Sequence, residues 1–365
     1  MTEKDFLSKK ADGLATGGKA TWKAPSNIAL VKYWGKKANQ IPANPSISFT
    51  LDACSTTTTL SFERKKTAGE EFSFDFFFEG KPKESFKAKI STFFGRVESY
   101  LPFLKQYHFV IETSNSFPHS SGIASSASGM AALALCLLSI EKEADPAMSE
   151  DFFIRKASFL ARLGSGSACR SIEGDVIQWG ETPTIPESSD LYGIKYPNPV
   201  HPNFKNFHDT ILLVHKGQKQ VSSSMGHDLM HGHPFAEKRF QQAHGNLERL
   251  KAIFSDGNLD AFIEIVESEA LTLHAMMMTS QPYFMLMQPN TLEIINKIWE
   301  YRKETGRHVC FTLDAGANVH VLYPESEKKP VYQFICESLL QHCENGHHIC
   351  DRIGHGASIC NFISN

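Results

Sequence analysis

The stretch that most constrains this chain runs from residue 109 to 138. Phe109-Val110-Ile111-Glu112-Thr113 is apolar and β-branched, a Ser/Gly/Pro-rich segment at 114–129 interrupts it, and the run 130–138 contains neither Pro nor Gly. The pattern predicts a strand, a loop and a buried helix. A loop of small residues that feeds a helix start gathers free N–H groups and the positive end of the helix dipole. Side chains no larger than Ser or Ala then let phosphate oxygens approach the backbone. The sequence therefore predicts an anion loop over residues 120–128. It is not a Walker A loop, because no Lys follows a glycine in it, and it lacks G-x-G-x-x-G. An ordinary serine-rich connection is the alternative.

At 365 residues the chain is long for one core, so two domains or one elongated two-layer body is expected. A formal net charge of −3 with dispersed Lys and Arg argues against a nucleic-acid partner. Met1-Thr2-Glu3-Lys4-Asp5 lacks the apolar core of a signal peptide, and no run of about 18 apolar residues is present, so a cytoplasmic protein with no membrane span is expected. Eight cysteines without a C-x-x-C pair do not make a disulfide scaffold.

Residues 1–20 are polar and Gly/Lys-rich and read as a flexible tail. Lys32 and Lys36 bracket Tyr33-Trp34-Gly35, a spacing that can aim two ammonium groups into one pocket; two solvated lysines are the alternative. Residues 41–51 and 55–62 read as strands. Phenylalanines at 72, 74, 76 and 78 alternate with Ser73, Asp75 and Phe77, which is strand period with one face buried. Residues 85–106 read as a helix, as do 152–163. Gly164-Ser165-Gly166-Ser167-Ala168-Cys169-Arg170-Ser171 then places Gly and Ser before an arginine, a second oxyanion cradle suited to an anionic substrate. Residues 181–208 mark a long loop or domain junction.

Further on, 210–214 and 309–313 read as strands and 235–254 and 261–278 as helices. His274 and Met276-Met277-Met278 raise a soft-metal site, but methionines at that density fill cores. Asp314, between an apolar strand and Gly316, is either a turn cap or a functional carboxylate on a rigid element, and on local grounds the cap is favoured. Cys336, Cys343 and Cys350 are seven apart, which predicts one helical face; structural zinc sites need pairs two to four residues apart.

Taken together, these stretches resemble a known family. Pro118-x-x-x-Gly122-Ile123-Ala124-Ser125-Ser126-Ala127 resembles the nucleotide loop of the GHMP small-molecule kinase superfamily. Asn27-Ile28-Ala29-Leu30-Val31-Lys32-Tyr33-Trp34-Gly35-Lys36, the stretch 164–171 and Asp314-Ala315-Gly316-x-Asn318 are similar to its mevalonate diphosphate decarboxylase branch, and the resemblance covers nearly all of the chain after residue 20. It implies an α/β (α+β) GHMP-kinase-type two-lobed fold, a ribosomal-protein-like βαβ lobe beside a ferredoxin-like lobe with the active cleft between them. The division is then a flexible N-terminal tail at 1–20, an ATP-binding lobe at 21–200 and a ferredoxin-like lobe at 201–365.

The resemblance also implies ATP, Mg2+, a homodimer, and conversion of (R)-5-diphosphomevalonate to isopentenyl diphosphate, ADP, phosphate and carbon dioxide in isoprenoid biosynthesis. Carried onto this chain, Asp314 would orient or deprotonate the 3-hydroxyl and Lys32 would tune that carboxylate. Lys36 and Tyr33 would hold the diphosphate, and Arg170 with Ser165, Ser167 and Asn27 would position the substrate. Trp34, Gly35, Gly166, Ala168 and Cys169 would complete its pocket. Ser120, Ser121, Gly122, Ile123, Ala124, Ser125, Ser126 and Ser128 would surround the nucleotide phosphates, with Ser126 at the metal. Pro45 and Asp75 stand where the family often has a serine and a substrate-contacting arginine, and Ser224-Met225-Gly226-His227 departs from its usual loop. These departures bear on how many phosphates the substrate carries. The rival readings are a related enzyme acting on mevalonate or 5-phosphomevalonate, as a 3-kinase or monophosphate decarboxylase, and a non-catalytic ligand sensor or binding module on the same scaffold. Retention of Asp314, Lys32 and Arg170 together argues against the pure kinase, and a sensor could lose the base and keep the pockets, yet here both are present.

Overall fold

The structure is a computed structural model that describes residues 1–8, 13–67, 69–118, 123–216 and 223–365, with only the backbone of 223 and 224. Its N-terminal lobe is built on an eight-stranded sheet. Strands β1 (Gly17–Val31), β2 (Ser46–Arg64), β3 (Ser73–Phe78), β4 (Lys81–Pro82), β5 (Tyr107–Asn115), β6 (Val176–Trp179) and β7 (Ile194–Lys195) are joined by β12 (Ser358–Ser364). The order is β12-β1-β2-β5-β3-β4, with β6 on the first half of β2 and β7 on β6. Only β3 and β5 pair in parallel among the described strands.

Helices α1 (Lys87–Val97), α2 (Ser125–Ala144) and α3 (Glu150–Gly164) pack beneath this sheet. Fourteen of the twenty residues of α2 are buried. A helix apolar on all sides belongs inside a core, which is why the Ala/Leu run could be read as buried. α3 starts where Ser149 accepts the N–H of Phe152 and Glu150 and Asp151 face the positive end of the dipole.

The C-terminal lobe carries β8 (His208–Leu212), β9 (Cys310–Leu313), β10 (Val319–Tyr323) and β11 (His348–Arg352) in the order β11-β8-β10-β9, all antiparallel. With α4 (Ser223–Asp228), α5 (Ala236–Asp256), α6 (Leu259–Met278) and α7 (Pro289–Thr305) between β8 and β9, and α8 (Lys328–Phe334) between β10 and β11, this is a split βαβ arrangement of the ferredoxin-like kind. α5 turns into α6 at Gly257, where φ is +75° and a Cβ would lie 2.3 Å from His201 Nδ1, so only glycine fits. The lobes share an apolar cluster that includes Phe49, Phe207, Phe254 and Phe262. Asp351 on β11 fastens β2 across the junction: Oδ1 accepts the N–H groups of Asp52 (2.9 Å) and Ala53 (2.8 Å), and Oδ2 accepts that of Cys54 (2.7 Å).

The structure corrects four expectations. Of the tail expected at 1–20, described residues are held at both ends: Phe6 is fully buried and stacks on Phe159 with centroids 4.4 Å apart, and β1 begins at Gly17, pairing with β2 from there and with β12 from Gly18. The boundary at 200/201 is crossed, because β12 belongs to the N-terminal sheet. The helix expected over 85–106 stops at Val97 and resumes as a separate 3-10 turn, Pro102–Gln106, since the residue before a proline is driven out of the helical region. The three cysteines share no helical face: Cys336 lies in a π turn, Asn345 and Gly346 at positive φ end the helical stretch, and Cys350 is on β11. Among the described residues no group of His, Cys, Asp or Glu is arranged to hold a metal.

Candidate active site

β9 is buried along its whole length and delivers Asp314 to the junction of the lobes. The main-chain oxygen of Asp314 accepts the N–H of Gly316 (2.7 Å) and is 3.1 Å from His274 Nε2. Burial pushes the pKa of His274 down to about 4, so the ring is neutral and Nε2–H is the donor. His274 therefore fixes the turn that carries Asp314.

Lys32, 2 % exposed, reaches Asp314 Oδ1 at 3.4 Å. Its backbone is clamped from both sides. The N–H donates to Glu269 Oε2 (2.8 Å), while the carbonyl accepts from Asn44 Nδ2 (2.9 Å) and Arg239 Nη2 (3.1 Å). Arg239 and Glu269 form a fully buried ion pair, and Asn246 Nδ2 bonds the other Glu269 oxygen at 2.7 Å. Burial pushes the Lys32 pKa down, and the neighbouring Asp314 carboxylate opposes that shift.

Arg170 sits on the 3-10 turn Gly166–Ser171 that follows α3. Its Nε bonds Asn27 Oδ1 (3.3 Å), its Nη1 bonds Ser46 Oγ, and its guanidinium lies 5.8 Å from the centre of the Trp179 ring. Asn27 is itself held by Ser171 Oγ at 2.8 Å. Gly166 is required here, since a Cβ would lie 2.7 Å from the Tyr33 hydroxyl.

The start of α2 closes the cleft. Its N-cap, Ala124, is left-handed (φ 45°, ψ 37°) and offers no side-chain oxygen to the first helical N–H groups. Ser126 Oγ lies 3.4 Å from Ser165 Oγ, so the two small-residue cradles meet. Beyond them Phe76, Phe78, Phe86, Ile90, Met130 and Leu133 line an apolar slot, with Lys89 and Asn115 at its polar margin. Asn115 accepts from Thr56 Oγ1, but its buried Nδ2 has no partner among the described residues. An apolar slot with an unmatched amide donor, next to a helix start without a side-chain cap, fits a nucleotide. Magnesium would find oxygen ligands on phosphates and Ser126 rather than a carboxylate cage, the mode this ion favours.

The cleft has a volume of about 380 Å³. Thirteen expected site residues line it: Asn27, Lys32, Tyr33, Trp34, Lys36, Ala124, Ser125, Ser126, Ser165, Gly166, Ser167, Arg170 and Asp314. Five others turn elsewhere. Ile123 is in the core and its carbonyl accepts from Ser26, and Ser128 bonds Thr56 at 2.6 Å. Ala168 is core, and Cys169 points at the Gly166 carbonyl with its thiol pushed up to about 12 by burial. Gly35 contributes its N–H, which donates to His227 Nδ1 at 3.0 Å. Ser120, Ser121 and Gly122 lie outside the described residues. Asp75 points away from the cleft to Lys87 and His108, because strand alternation gives the cleft face to Phe76. Lys36 is 3.3 Å from Asp228. Sequence reasoning missed Glu269, Arg239, Lys89 and Asn115, which come from elements far apart in the chain, and noted His227 only as part of an atypical loop.

Comparison with known proteins gives a consistent answer. Residues 24–190 match the model of the diphosphomevalonate decarboxylase-like N-terminal domain, and residues 210–357 match that of the mevalonate 5-diphosphate decarboxylase C-terminal domain. The diphosphomevalonate decarboxylase of Candida albicans is 30% identical over 328 residues, covering 86% of this chain and 86% of that protein. A solved structure of MDDEF in complex with MVAPP, AMPPCP and magnesium is similar with a TM-score of 0.79 at 27% identity, over 96% of this chain and 100% of that one. The mevalonate diphosphate decarboxylase of Staphylococcus aureus also gives 0.79, at 28% identity, over 94% and 98% of the two chains.

Proposed function

The chain belongs to the diphosphomevalonate decarboxylase family, and from that premise we propose how its cleft carries out the ATP-dependent decarboxylation of (R)-5-diphosphomevalonate to isopentenyl diphosphate, ADP, phosphate and carbon dioxide. The observation that carries the proposal is the 3.4 Å contact between Lys32 and Asp314 in a cleft shared with Arg170 and the start of α2.

A tertiary hydroxyl is a poor leaving group, and ATP with magnesium, when bound, supplies the phosphoryl group that makes it a good one. Asp314 orients the 3-hydroxyl and takes its proton. Lys32, held by Glu269, Arg239 and Asn44, fixes the carboxylate in place. Asp314 is also the negative charge closest to where positive charge grows on the carbon as the phosphate departs. Arg170 orients the substrate. A guanidinium clamped on the carboxylate that leaves as carbon dioxide would stabilise the ground state and slow its loss, so Arg170 serves by placement, with its fork already spent partly on Asn27 and Ser46. Lys36 and Tyr33 hold the diphosphate, and the first turn of α2 holds the nucleotide phosphates, with Ser126 at the metal.

We read the chain as an ATP-binding lobe that runs from β1 to about residue 200 and takes back β12, with a ferredoxin-like lobe between them, and as a cytoplasmic homodimer. Free cysteines throughout the described residues support the reducing compartment. No described helix is long and apolar enough to cross a membrane. Incubation with ATP, magnesium and mono- or diphosphomevalonate, following ADP and carbon dioxide, tests the reaction. Carbon dioxide from the diphosphate is the expected outcome; ADP without carbon dioxide would make the protein a 3-kinase, and preference for the monophosphate would follow if Asp228 neutralises Lys36.

A further inference from the structure

His227 stands in the cleft and the reaction as described gives it no work. It is brought there by its neighbour: a Cβ on Gly226 would lie 2.4 Å from the Trp34 ring, so the glycine lets α4 close onto that indole. The imidazole then rests against Tyr33 and Trp34, with ring centres 4.1 and 4.7 Å away. Gly35, at φ +97°, turns its N–H onto Nδ1 at 3.0 Å. A nitrogen that accepts a hydrogen bond keeps its lone pair, so a neutral ring carries its proton on Nε2. Burial and the nearby charges of Lys36 and Arg170 push the pKa down to about 3, so the ring is neutral at physiological pH.

The result is an oriented, uncharged N–H in a cleft between two cations. Nε2 has no partner among the described residues, and the ring lines the same cavity as Lys36, Tyr33 and Arg170. A site with two cationic donors invites an anion, and an uncharged donor adds a directional contact without repelling them. We propose that His227 is a substrate-binding residue whose Nε2–H donates to a phosphate oxygen at the end of the substrate held by Lys36. This rests on the reading of the cleft given above. The competing account is that the ring is only a wedge between Tyr33, Trp34 and α4.

Two substitutions separate these accounts. In His227→Asn the side-chain oxygen can still take the Gly35 N–H, but nothing reaches the place of Nε2. In His227→Gln an amide N–H reaches that place. The Asn variant should raise KM for diphosphomevalonate about tenfold or more, the weight of one hydrogen bond to a charged group. Its kcat and nucleotide affinity should change far less, and Gln should restore most of the KM. Nitrogen-15 NMR should show the Nε2–H tautomer in the free protein and a shift of that signal on adding either diphosphomevalonate or inorganic pyrophosphate. An unchanged KM in Asn, equal losses in Asn and Gln, or an Nε2 signal indifferent to both anions would overturn the proposal. If the wild type releases no carbon dioxide from diphosphomevalonate, the reaction assignment fails instead, and the pyrophosphate titration still reads the donor.

Discussion

Replacing Asp314 by Asn tests the centre of the mechanism. Asparagine keeps the size of the side chain and an oxygen that can cap the turn, and it leaves the main-chain bonds to His274 and Gly316 intact. It removes the proton acceptor and the charge that compensates Lys32. At 3.4 Å and an effective dielectric of about 20, that attraction is worth about 5 kcal/mol. Without it, only Glu269 opposes burial and Arg170, so the Lys32 pKa is pushed further down. Loss of a general base costs about 10²- to 10⁴-fold in rate, or about 3 to 5 kcal/mol of barrier. Turnover should fall by at least the lower figure. ADP and carbon dioxide should fall together, because the hydroxyl must take the phosphoryl group before the carboxylate can leave. Substrate and nucleotide affinity, by calorimetry, should survive. A folded variant that releases carbon dioxide at close to the normal rate would reduce Asp314 to a cap. A variant that still makes ADP but no carbon dioxide would show that the carboxylate serves only the second half of the reaction.

The remaining predictions follow from the same cleft. Lys36→Met should raise KM more for the diphosphate than for the monophosphate; equal effects would place the lysine elsewhere. Ser126→Leu should abolish nucleotide binding by filling the junction with Ser165, and unchanged affinity in a folded variant would remove the phosphates from α2. Stability should weaken in acid. His274 and His227 have folded pKa values of about 4 and about 3 against 6.5 unfolded, so below pH 6.5 the unfolded chain binds protons that the folded one refuses. Their stabilisation is complete above pH 6.5 and is lost as pH falls toward 4 and 3. At about 1.4 kcal/mol per pH unit and group, the pair should cost about 4 kcal/mol between pH 6.5 and 5. His274→Gln should leave about 2 kcal/mol of that loss in urea melts; an unaltered acid limb would mean that His274 is protonated in the fold.

The sequence was legible where one segment determines its own environment. Phe76 and Phe78 face the cleft and Asp75 faces away because strand alternation is a local rule, and α2 is buried because its composition leaves no polar face. The Lys32-to-Lys36 stretch and the turn after α3 could be found for the same reason. Asp314 was ambiguous locally: a carboxylate after a strand caps turns as readily as it takes protons, and only the arrival of Lys32, 282 positions away in the chain, separates the two. Ala168 and Cys169 show the opposite limit, since neighbours on a 3-10 turn point in different directions and a motif read as one unit includes side chains that pack inward. Glu269 and Arg239 gave no signal at all. They read as ordinary charges on two helices, and become a clamp only when α5 and α6 pack against the end of β1.

The pairing of β12 with β1 gives the chain a direction of assembly. Gly18 lies beside Ser364 and Lys23 beside Ser358, so one flank of the N-terminal sheet stays uncovered until synthesis has passed the whole C-terminal lobe. A growing polypeptide can bury α1, α2 and α3 early, yet β1 then presents open main-chain groups along its outer edge, the kind of edge that recruits strands from other molecules. The sheet is therefore complete only once β12 has been made. The ferredoxin-like lobe must form, or at least be tolerated as an unfinished loop, before β12 can return and seal it.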